Sequence, residues 1–322
     1  MRAIVLDQPG PVDTLTIRHL PIPRVRPGWV LIRVRAFGLN RSELHTRLGL
    51  SDGVSFPRVL GIEAVGEIVE APNGEFPVGQ KVAAILGGMG RVYDGGYAEY
   101  TTVPAQVVIP FTSDLPWSTL GALPEMLQTA YGSLTIGLDI QPGQSLLIRG
   151  GTTSVGMMAA VLAKRAGLTV YATTRNPAKA PLLSAIGVDH VVIDDGRIFG
   201  LLHQLVPGGV DAVLELVGTA TLQDSLRVTR VHGVVCFTGM VSNEWTVPDF
   251  YPIGYIPRGV RLTAYDGGAP DLPSALLQAV IDEIAAGSLA IPIDHIYQLD
   301  EIAIAHQALE DGTTAGKLVV VT

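Results

Sequence analysis

The sequence is poor in the residues that build disulfide-linked and metal-bound scaffolds. Cys236 is the single cysteine in 322 residues, which excludes an intrachain disulfide and any zinc site with several cysteine ligands. The 7 histidines show no paired spacing of the His-Glu-x-x-His kind. Such a composition is typical of a reducing compartment, so we expect a cytoplasmic protein.

Charged residues and long apolar runs are also scarce. Only 16% of the residues are charged and 48% are hydrophobic, which is typical of compact globular domains. The formal net charge of −8 argues against nucleic acid as the main partner, because a phosphate backbone requires a broad basic surface. The most apolar helical stretch, residues 155–163, is far shorter than the roughly 20 residues of a membrane span. We therefore expect neither nucleic acid nor a membrane as partner.

The pattern of apolar residues divides the chain into two predicted domains. Residues 1–122 carry short β-branched runs separated by proline and glycine, which predicts a β-rich, barrel-like domain. Residues 123–264 alternate apolar strands with helical stretches, a pattern typical of a doubly wound parallel sheet of the α/β class. Residues 265–322 end in an apolar strand, which we expect to pair with the first domain. The prediction is one domain of 1–122 and 265–322, with 123–264 inserted.

The most informative stretch is LLIRGGTTSVG at 146–156, which is followed at once by a helical pattern. The apolar residues predict a short strand, the pair Gly150-Gly151 permits a tight turn, and Gly156 allows close helix packing. The helix N-terminus offers N–H groups and partial positive charge to a pyrophosphate. Thr153 stands where the G-x-G-x-x-G spacing has its middle glycine. The pattern indicates a dinucleotide site, with an ordinary strand-turn-helix corner as the alternative.

The end of the next predicted strand distinguishes the two nicotinamide cofactors. A carboxylate normally stands there, about 20 residues past the glycines, and binds the ribose 2′-hydroxyl of NAD. This chain has Thr174 and Arg175 at that place, with Lys179 one helical turn on. Because a guanidinium can form two parallel hydrogen bonds to a phosphate, the position favours NADPH. The alternative is that Arg175 is an ordinary solvated side chain.

Three ordered motifs resemble the medium-chain dehydrogenase/reductase superfamily: GIEAVG at 61–66, GGYAEY at 95–100 and the glycine-rich stretch at 146–156. The resemblance covers nearly the whole chain. It implies a GroES-like β-rich catalytic domain plus a Rossmann doubly wound parallel-sheet domain. The chain resembles the zinc-independent quinone oxidoreductase branch in two runs, Gly38-Leu39-Asn40 and Leu127-Gln128-Thr129-Ala130-Tyr131.

The zinc-dependent alcohol dehydrogenases of this superfamily differ from the chain at their metal ligands. Where they have Gly-His-Glu, this chain has Gly61, Ile62 and Glu63, and where they have a zinc-binding cysteine it has Asn40. Isoleucine cannot ligate a metal, and one cysteine cannot build the four-cysteine structural zinc lobe. We therefore expect no metal. We interpret Glu63 as a structural residue that is hydrogen-bonded to backbone or to a basic side chain.

Carried over residue by residue, the resemblance implies residues at the reacting end and residues that bind the cofactor. Asn40 and Thr129 would face the nicotinamide, and Tyr131 is a candidate proton donor alongside bulk water. The implied contacts with NADPH come from the glycine turn, the strand ends beyond it and the last strand: Asn40, Thr129, Gly150, Gly151, Thr153, Ser154, Val155, Gly156, Thr174, Arg175, Lys179, Val217, Gly218, Thr238, Gly239 and Lys317.

Without a metal to polarise an alcohol oxygen, hydride delivery to an already activated electrophile is the feasible chemistry. The sequence therefore predicts a zinc-independent, NADPH-dependent oxidoreductase that reduces a quinone or an α,β-unsaturated carbonyl. One alternative is an enoyl-thioester or ketone reductase of a biosynthetic pathway. Another is a non-catalytic NADPH-binding protein with a regulatory or structural role. The resemblance also implies a homodimer joined at a sheet edge near residues 261–265.

Overall fold

The computed structural model describes all 322 residues, which form two compact units. The first unit consists of Met1–Gln128 and Gly268–Thr322, and the second of Thr129–Gly267. The strands, in chain order, are β1 (Arg2–Leu6), β2 (Leu15–His19), β3 (Trp29–Gly38), β4 (Arg58–Val59), β5 (Glu63–Glu70), β6 (Lys81–Ile85), β7 (Tyr100–Pro104), β8 (Val108–Pro110), β9 (Ser145–Arg149), β10 (Thr169–Thr174), β11 (His190–Ile193), β12 (Val210–Glu215), β13 (Thr229–Phe237), β14 (Arg261–Ala264), β15 (Ile293–Gln298) and β16 (Lys317–Val321). The α-helices are α1 (Arg41–Arg47), α2 (Trp117–Leu120), α3 (Pro124–Gly132), α4 (Ser154–Arg165), α5 (Ala180–Ala185), α6 (Phe199–Leu205), α7 (Thr219–Arg227), α8 (Pro252–Tyr255), α9 (Ser274–Ala285) and α10 (Ile302–Asp311).

The first boundary between the units lies within α3, between residues 128 and 129, rather than between 122 and 123. The start of α3 is tied to the first unit, because the backbone N–H of Glu125 donates to Oε2 of Glu63 at 2.9 Å. At the second boundary, the side chain of Gln128 donates to the carbonyl of Gly268 at 3.1 Å. Both bonds join residues that are far apart in sequence, which a local pattern does not reveal.

The first unit contains two β-sheets. The smaller sheet has the strand order β2-β1-β4, and the larger has the order β15-β16-β3-β5-β6-β8, with β7 also paired to β3. The long strand β3 runs antiparallel to β5, β7 and β16, and its Val30, Ile32 and Val34 are buried. The pairing of β16 with β3 confirms that the last strand joins the β-rich part of the chain.

The second unit is built on one six-stranded parallel sheet with the order β11-β10-β9-β12-β13-β14. The order runs outward in both directions from β9 and β12, as in doubly wound dinucleotide-binding folds. Leu147, Val213 and Val235 of the central strands share an apolar core with Leu222 and Leu226 of α7. Helices that cover a parallel sheet in this way confirm the predicted α/β, Rossmann-type architecture.

The helix ends follow capping residues that are visible in the sequence. Asn176 caps the turn before α5, since its Oδ1 accepts the N–H of Ala178 at 3.0 Å. Gly312 ends α10 with a left-handed φ of 65°, a conformation that glycine adopts easily. None of the helices is long and apolar enough to cross a membrane.

Candidate active site

The turn between β9 and α4 is shaped by its glycines. Gly150 has a φ of 86°, which residues with side chains rarely adopt. A Cβ on Gly151 would approach the carbonyl of Thr173 to 2.9 Å, and a Cβ on Gly156 would approach the carbonyl of Gly150 to 2.6 Å. The turn therefore needs bare backbone, and it leads directly into the N-terminus of α4. That arrangement fits the pyrophosphate of a dinucleotide.

Thr153 serves the helix through its side chain. Its hydroxyl donates to the carbonyl of Gly150 at 2.8 Å and accepts the N–H of Gly156 at 3.0 Å. The hydroxyl is thus engaged within the turn, and the cofactor contact expected of Thr153 stays a prediction. Ser154 and Val155 follow as half-buried residues in the first turn of α4.

The carboxyl end of β10 is basic. Thr174 is buried, and its hydroxyl accepts the N–H of Asn176 at 3.2 Å. Arg175 is exposed, and Lys179 is half-buried at the end of the short 3-10 turn. No carboxylate occurs between residues 174 and 179. The strand beside the glycine turn therefore ends in a positively charged surface.

Glu215, the last residue of β12, organises the next loop from inside the unit. Its Oε1 accepts the N–H of Val217 at 2.8 Å and that of Gly218 at 3.0 Å. Its Oε2 accepts the hydroxyl of Ser225 at 2.5 Å. Burial raises the pKa of Glu215 despite these hydrogen bonds. A fully buried carboxyl group therefore fixes the backbone at the predicted residues 217 and 218.

Thr238 and Gly239 follow β13 next to this loop. Their backbone N–H groups donate to the carbonyl of Glu215 at 3.0 Å and 3.1 Å. A Cβ on Gly239 would meet Cα of Leu216 at 2.8 Å, so this position also requires glycine. The structure thus brings four predicted residues together at the carboxyl ends of β12 and β13: Val217, Gly218, Thr238 and Gly239.

A second polar group is buried in the first unit around Lys317, the first residue of β16. Its Nζ lies 2.7 Å from Oε1 of Glu63, 3.4 Å from Oε2 of Glu125, and donates to Oδ1 of Asn40 at 2.6 Å. The side chains of Lys317 and Glu63 are 0% exposed. Burial opposes the charge on Lys317, but the Glu63 and Glu125 carboxylates raise its pKa above the ordinary value. The ammonium is therefore an interior cation.

The amide of Asn40 is held in one orientation by this charge pattern. Its oxygen faces the ammonium of Lys317, and its Nδ2 donates to Oε1 of Glu63 at 2.9 Å. A rotated amide would turn its NH₂ group toward the ammonium and its oxygen toward the carboxylate. Glu63 contacts a basic side chain, Lys317, and accepts a hydrogen bond from the backbone of Glu125, which are the kinds of partner expected from the sequence.

Glu43, in α1, closes the same cluster. Its Oε2 accepts the backbone N–H of Asn40 at 3.1 Å, and its Oε1 accepts that of Ile62 at 2.9 Å. Burial, reinforced by the charge of Glu63, raises the pKa of Glu43 to about 7. The Asn-x-x-Glu spacing at a helix start is a capping signal from which the contact with Asn40 could have been predicted. The contact with Ile62 has no signal in the local sequence.

Lys317 lies inside the first unit, enclosed by Asn40, Glu63 and Glu125, and not on an accessible surface. Its Nζ is directed at these three side chains, and the cofactor contact expected of Lys317 stays a prediction. Gly38 makes this arrangement possible, because a Cβ there would collide with the side chains of Lys317 and Glu63.

Thr129 and Tyr131 both lie in α3, at the start of the second unit, and both are half-buried. Residues two apart on a helix point in different directions, so the two side chains do not share one face. The structure also contains no group of three or more His, Cys, Asp or Glu side chains that could hold a metal ion.

Two family models match the chain. Residues 26–113 match the alcohol dehydrogenase GroES-like domain, and residues 186–320 match the zinc-binding dehydrogenase family. The chain belongs to the medium-chain dehydrogenase/reductase superfamily. Within it, the chain lies in the quinone oxidoreductase-like branch, and it is an oxidoreductase with a pyridine-nucleotide-binding fold.

Individual relatives support this placement. The chain is 32% identical to prostaglandin reductase-3 of Bos taurus over 75% of its own length and 63% of the length of that protein. It is 27% identical to the putative quinone oxidoreductase YhfP of Bacillus subtilis, covering 96% of this chain and 93% of the other. The solved structure of mycobacterial Rv1454c in complex with NADPH is similar, with a TM-score of 0.87 at 25% identity and full coverage of both chains.

Proposed function

We propose that this oxidoreductase is a zinc-independent reductase that uses NADPH to reduce a quinone or an α,β-unsaturated carbonyl. One observation carries the proposal: exposed Arg175 follows the strand next to the glycine turn, where an NAD-selective site has a carboxylate. Two relatives add support, since one is named a prostaglandin reductase and another a putative quinone oxidoreductase.

Residues at the carboxyl ends of the parallel strands fit NADPH. The bare backbone of Gly151 and Gly156 and the start of α4 suit the pyrophosphate, and Arg175 with Lys179 suits the 2′-phosphate. The loops after β12 and β13, held by Glu215, suit the remaining part of the dinucleotide. That a similar protein has been solved in complex with NADPH agrees with this choice.

The zinc-independent part of the proposal rests on the residues at the positions of the missing ligands. Ile62 has no donor atom, and the polar groups of Asn40 and Glu63 are already paired with the Lys317 ammonium. A divalent ion at this place would compete with a buried lysine whose pKa is raised. We infer that Lys317 is the resident cation of this cluster and that it keeps Asn40 in position.

NADPH, when bound, supplies a hydride, and the chain supplies binding and orientation. In a quinone or an enone, the conjugated oxygen accepts the developing charge, so no Lewis acid is required. Asn40 and Thr129 are proposed to orient the nicotinamide end. The proton that completes the reduction is proposed to come from water or from Tyr131, whose half-buried side chain gives it access to solvent.

Cofactor oxidation with a small panel of quinones and enones tests the proposal. We expect NADPH to be oxidised with at least one of them, much faster than NADH, and at an unchanged rate after treatment with a metal chelator. A rate that falls on chelation and returns with zinc would contradict the zinc-independent mechanism. Tight NADPH binding without turnover of any acceptor would favour a non-catalytic role.

We also propose a homodimer that forms through β14, the edge strand of the second unit. Its outer edge has no partner in the six-stranded order, and unpaired strand edges favour pairing with a second chain. Sedimentation that gives a monomer at all concentrations would contradict this assembly. The cytoplasmic location proposed from the sequence is checked by fractionation of cells that express the chain.

A further inference from the structure

Arg149 is a fully buried arginine at the centre of the second unit. It is the last residue of β9 and directly precedes Gly150 of the glycine turn. Its guanidinium forms two parallel hydrogen bonds with Asp194, from Nε at 2.8 Å and from Nη2 at 3.0 Å. Its Nη1 donates to Oδ2 of Asp224 at 2.6 Å. The side chain thus binds two carboxylates at once.

The two carboxylates belong to elements that do not adjoin β9 in sequence. Asp194 directly follows β11, which β10 separates from β9 in the sheet, and Asp224 lies in α7. Arg149 therefore reaches across the carboxyl ends of the parallel strands. Ligands of doubly wound sheets bind at these strand ends.

The same carboxylates also hold the loop that follows β11. Oδ1 of Asp194 accepts the N–H of Gly196 at 2.8 Å, and Oδ2 of Asp224 accepts the N–H of Ile198 at 2.9 Å. The loop of residues 194–198 is thus fixed at both of its ends by groups that Arg149 orients. In addition, Thr173 hydrogen-bonds to Asp194, and its Oγ accepts the N–H of Gly150 at 3.0 Å.

The positions of Asp194 and Asp224 depend on the positive charge of the Arg149 guanidinium. Burial opposes the charged form of Arg149, but Asp194 raises its pKa, and Arg149 in turn holds the pKa of Asp194 below its ordinary value although burial acts in the opposite direction. Without the guanidinium, Asp194 and Asp224 would be left as mostly buried carboxylates near Glu215. Mutual repulsion would then separate the elements that carry them.

We infer that Arg149 is a positioning residue for the adenosine half of the dinucleotide. The inference rests on the proposed NADPH function. The order of the strands indicates which half of the dinucleotide lies near Arg149. β11 lies beyond β10, whose end carries Arg175, so loop 194–198 borders the side of the sheet assigned to the 2′-phosphate. The loops after β12 and β13 lie on the other side of β9.

Two variants and one control test this inference. Arg149→Lys keeps the charge but loses the planar fork that spans Asp194 and Asp224, and Asp194→Asn keeps the shape but removes the charge. Arg230→Lys is the control, because Arg230 pairs with Asp211 near the opposite ends of β13 and β12. Circular dichroism confirms that each variant is folded. The probes are 2′,5′-ADP and 5′-AMP for the adenosine half and reduced nicotinamide mononucleotide for the other half.

We expect both variants to bind 2′,5′-ADP about tenfold more weakly, which is the size of effect that the loss of one charged hydrogen bond typically has. Their affinity for the mononucleotide should be unchanged. The KM for NADPH should rise while kcat at saturation stays constant. Hydrogen exchange at the amides of Gly196 and Ile198 should accelerate in the protein without cofactor. The control should behave like the unchanged protein in all assays.

An equal loss of affinity for both halves, or unchanged exchange at Gly196 and Ile198, would overturn the positioning role. The proposed cofactor is tested separately by the unchanged protein. If the unchanged protein binds 5′-AMP and 2′,5′-ADP with equal affinity, the proposed preference for NADPH is contradicted. In that case, weaker binding of 5′-AMP by the two variants would still support the positioning role of Arg149. If the unchanged protein binds neither probe, both ideas are contradicted.

Discussion

Nζ of Lys317 lies 2.7 Å from Oε1 of Glu63, with both side chains fully buried in the first unit. This ion pair lies beside the two positions at which the zinc-dependent members of the superfamily have metal ligands and this chain does not. Ile62 directly precedes Glu63, and Asn40 accepts a hydrogen bond from the same ammonium. An interior charge is stable only with its partners in place. The same buried ammonium therefore contributes both to the stability of this unit and to the orientation of the Asn40 amide.

Removal of the buried cation should be strongly destabilising. Lys317→Met leaves Glu63 as an uncompensated buried carboxylate and should lower the free energy of unfolding by about 3–5 kcal/mol. Adding Glu63→Gln to this variant should recover part of the loss. Urea unfolding measures both effects. The control Arg18→Met removes an exposed pair with Asp7 and should lose less than about 1 kcal/mol. If Lys317→Met lowered the free energy of unfolding as little as the control does, the stabilising role of this buried ion pair would be contradicted.

Gly38 should not tolerate a methyl group. In Gly38→Ala, the new Cβ would collide with Lys317 and Glu63, and we expect a loss of about 1–3 kcal/mol in the free energy of unfolding. Gly200→Ala is the matched control, since no atom beyond its chain neighbours and the backbone of its own helix lies within 4 Å of a Cβ at this position. It should stabilise α6 by about 0.5–1 kcal/mol. Thermal melts that show equal effects for the two variants would count against this packing.

Glu43 should make the free energy of unfolding decrease as the pH rises from 4.5 to about 7. The folded-state pKa is about 7, raised by burial from an ordinary value of 4.5 that the unfolded chain retains. Between these values the folded state binds the proton more tightly, so its contribution is complete below pH 4.5 and is lost as the pH rises through 7. At about 1.4 kcal/mol per pKa unit, the total is on the order of 3 kcal/mol.

Glu43→Gln tests this sign. Glutamine does not titrate, so the variant should lose this pH dependence. Its NH₂ group cannot accept the backbone N–H that one of the two Glu43 oxygens accepts, so the variant should be less stable than the unchanged protein at pH 5. Urea unfolding at pH 5, 6, 7 and 8 provides the comparison. Glu67→Gln, which removes a half-exposed partner of Arg35, should shift the curve without changing its slope. Parallel curves for Glu43→Gln and the unchanged protein would show that Glu43 does not titrate in this range.

Thr153 should matter for the helix more than for cofactor affinity. Thr153→Ala removes the cap of α4 and should lower stability by about 1 kcal/mol, whereas Thr153→Ser should retain it. Both variants should bind NADPH nearly as well as the unchanged protein, because the hydroxyl is engaged within the turn. Fluorescence titration measures the affinity. A large loss in Thr153→Ala that serine restores would show that the hydroxyl reaches the phosphate.

Much of the second unit could be predicted from local patterns. The strand-turn-helix at 146–156, the cap at Asn176 and the order of strands and helices all depend on residues close in sequence. The glycine at 156 signals close packing because no other residue fits there. Such features are read directly from spacing and residue type.

The buried ionic clusters could not be predicted in this way. Lys317 and Glu63 are joined only because β16 returns to pair with β3 beside β5, and nothing near either residue specifies the other. Arg149 and Glu215 each give one signal, a charged residue at the end of an apolar strand. Their partners lie in other elements, since Asp194 follows β11 and Ser225 lies in α7. Prediction of these contacts requires the topology first.

The preference for NADPH over NADH tests the central claim most directly. The measurement is the ratio of kcat/KM for the two cofactors, with one quinone or enone acceptor, in the unchanged protein and in Arg175→Ala. We expect a strong preference for NADPH that falls by about 10- to 100-fold in the variant, while turnover with NADH stays constant. Arg230→Ala, remote from this site, should leave the ratio unchanged. Equal use of both cofactors by the unchanged protein, or a preference that survives Arg175→Ala, would contradict the account.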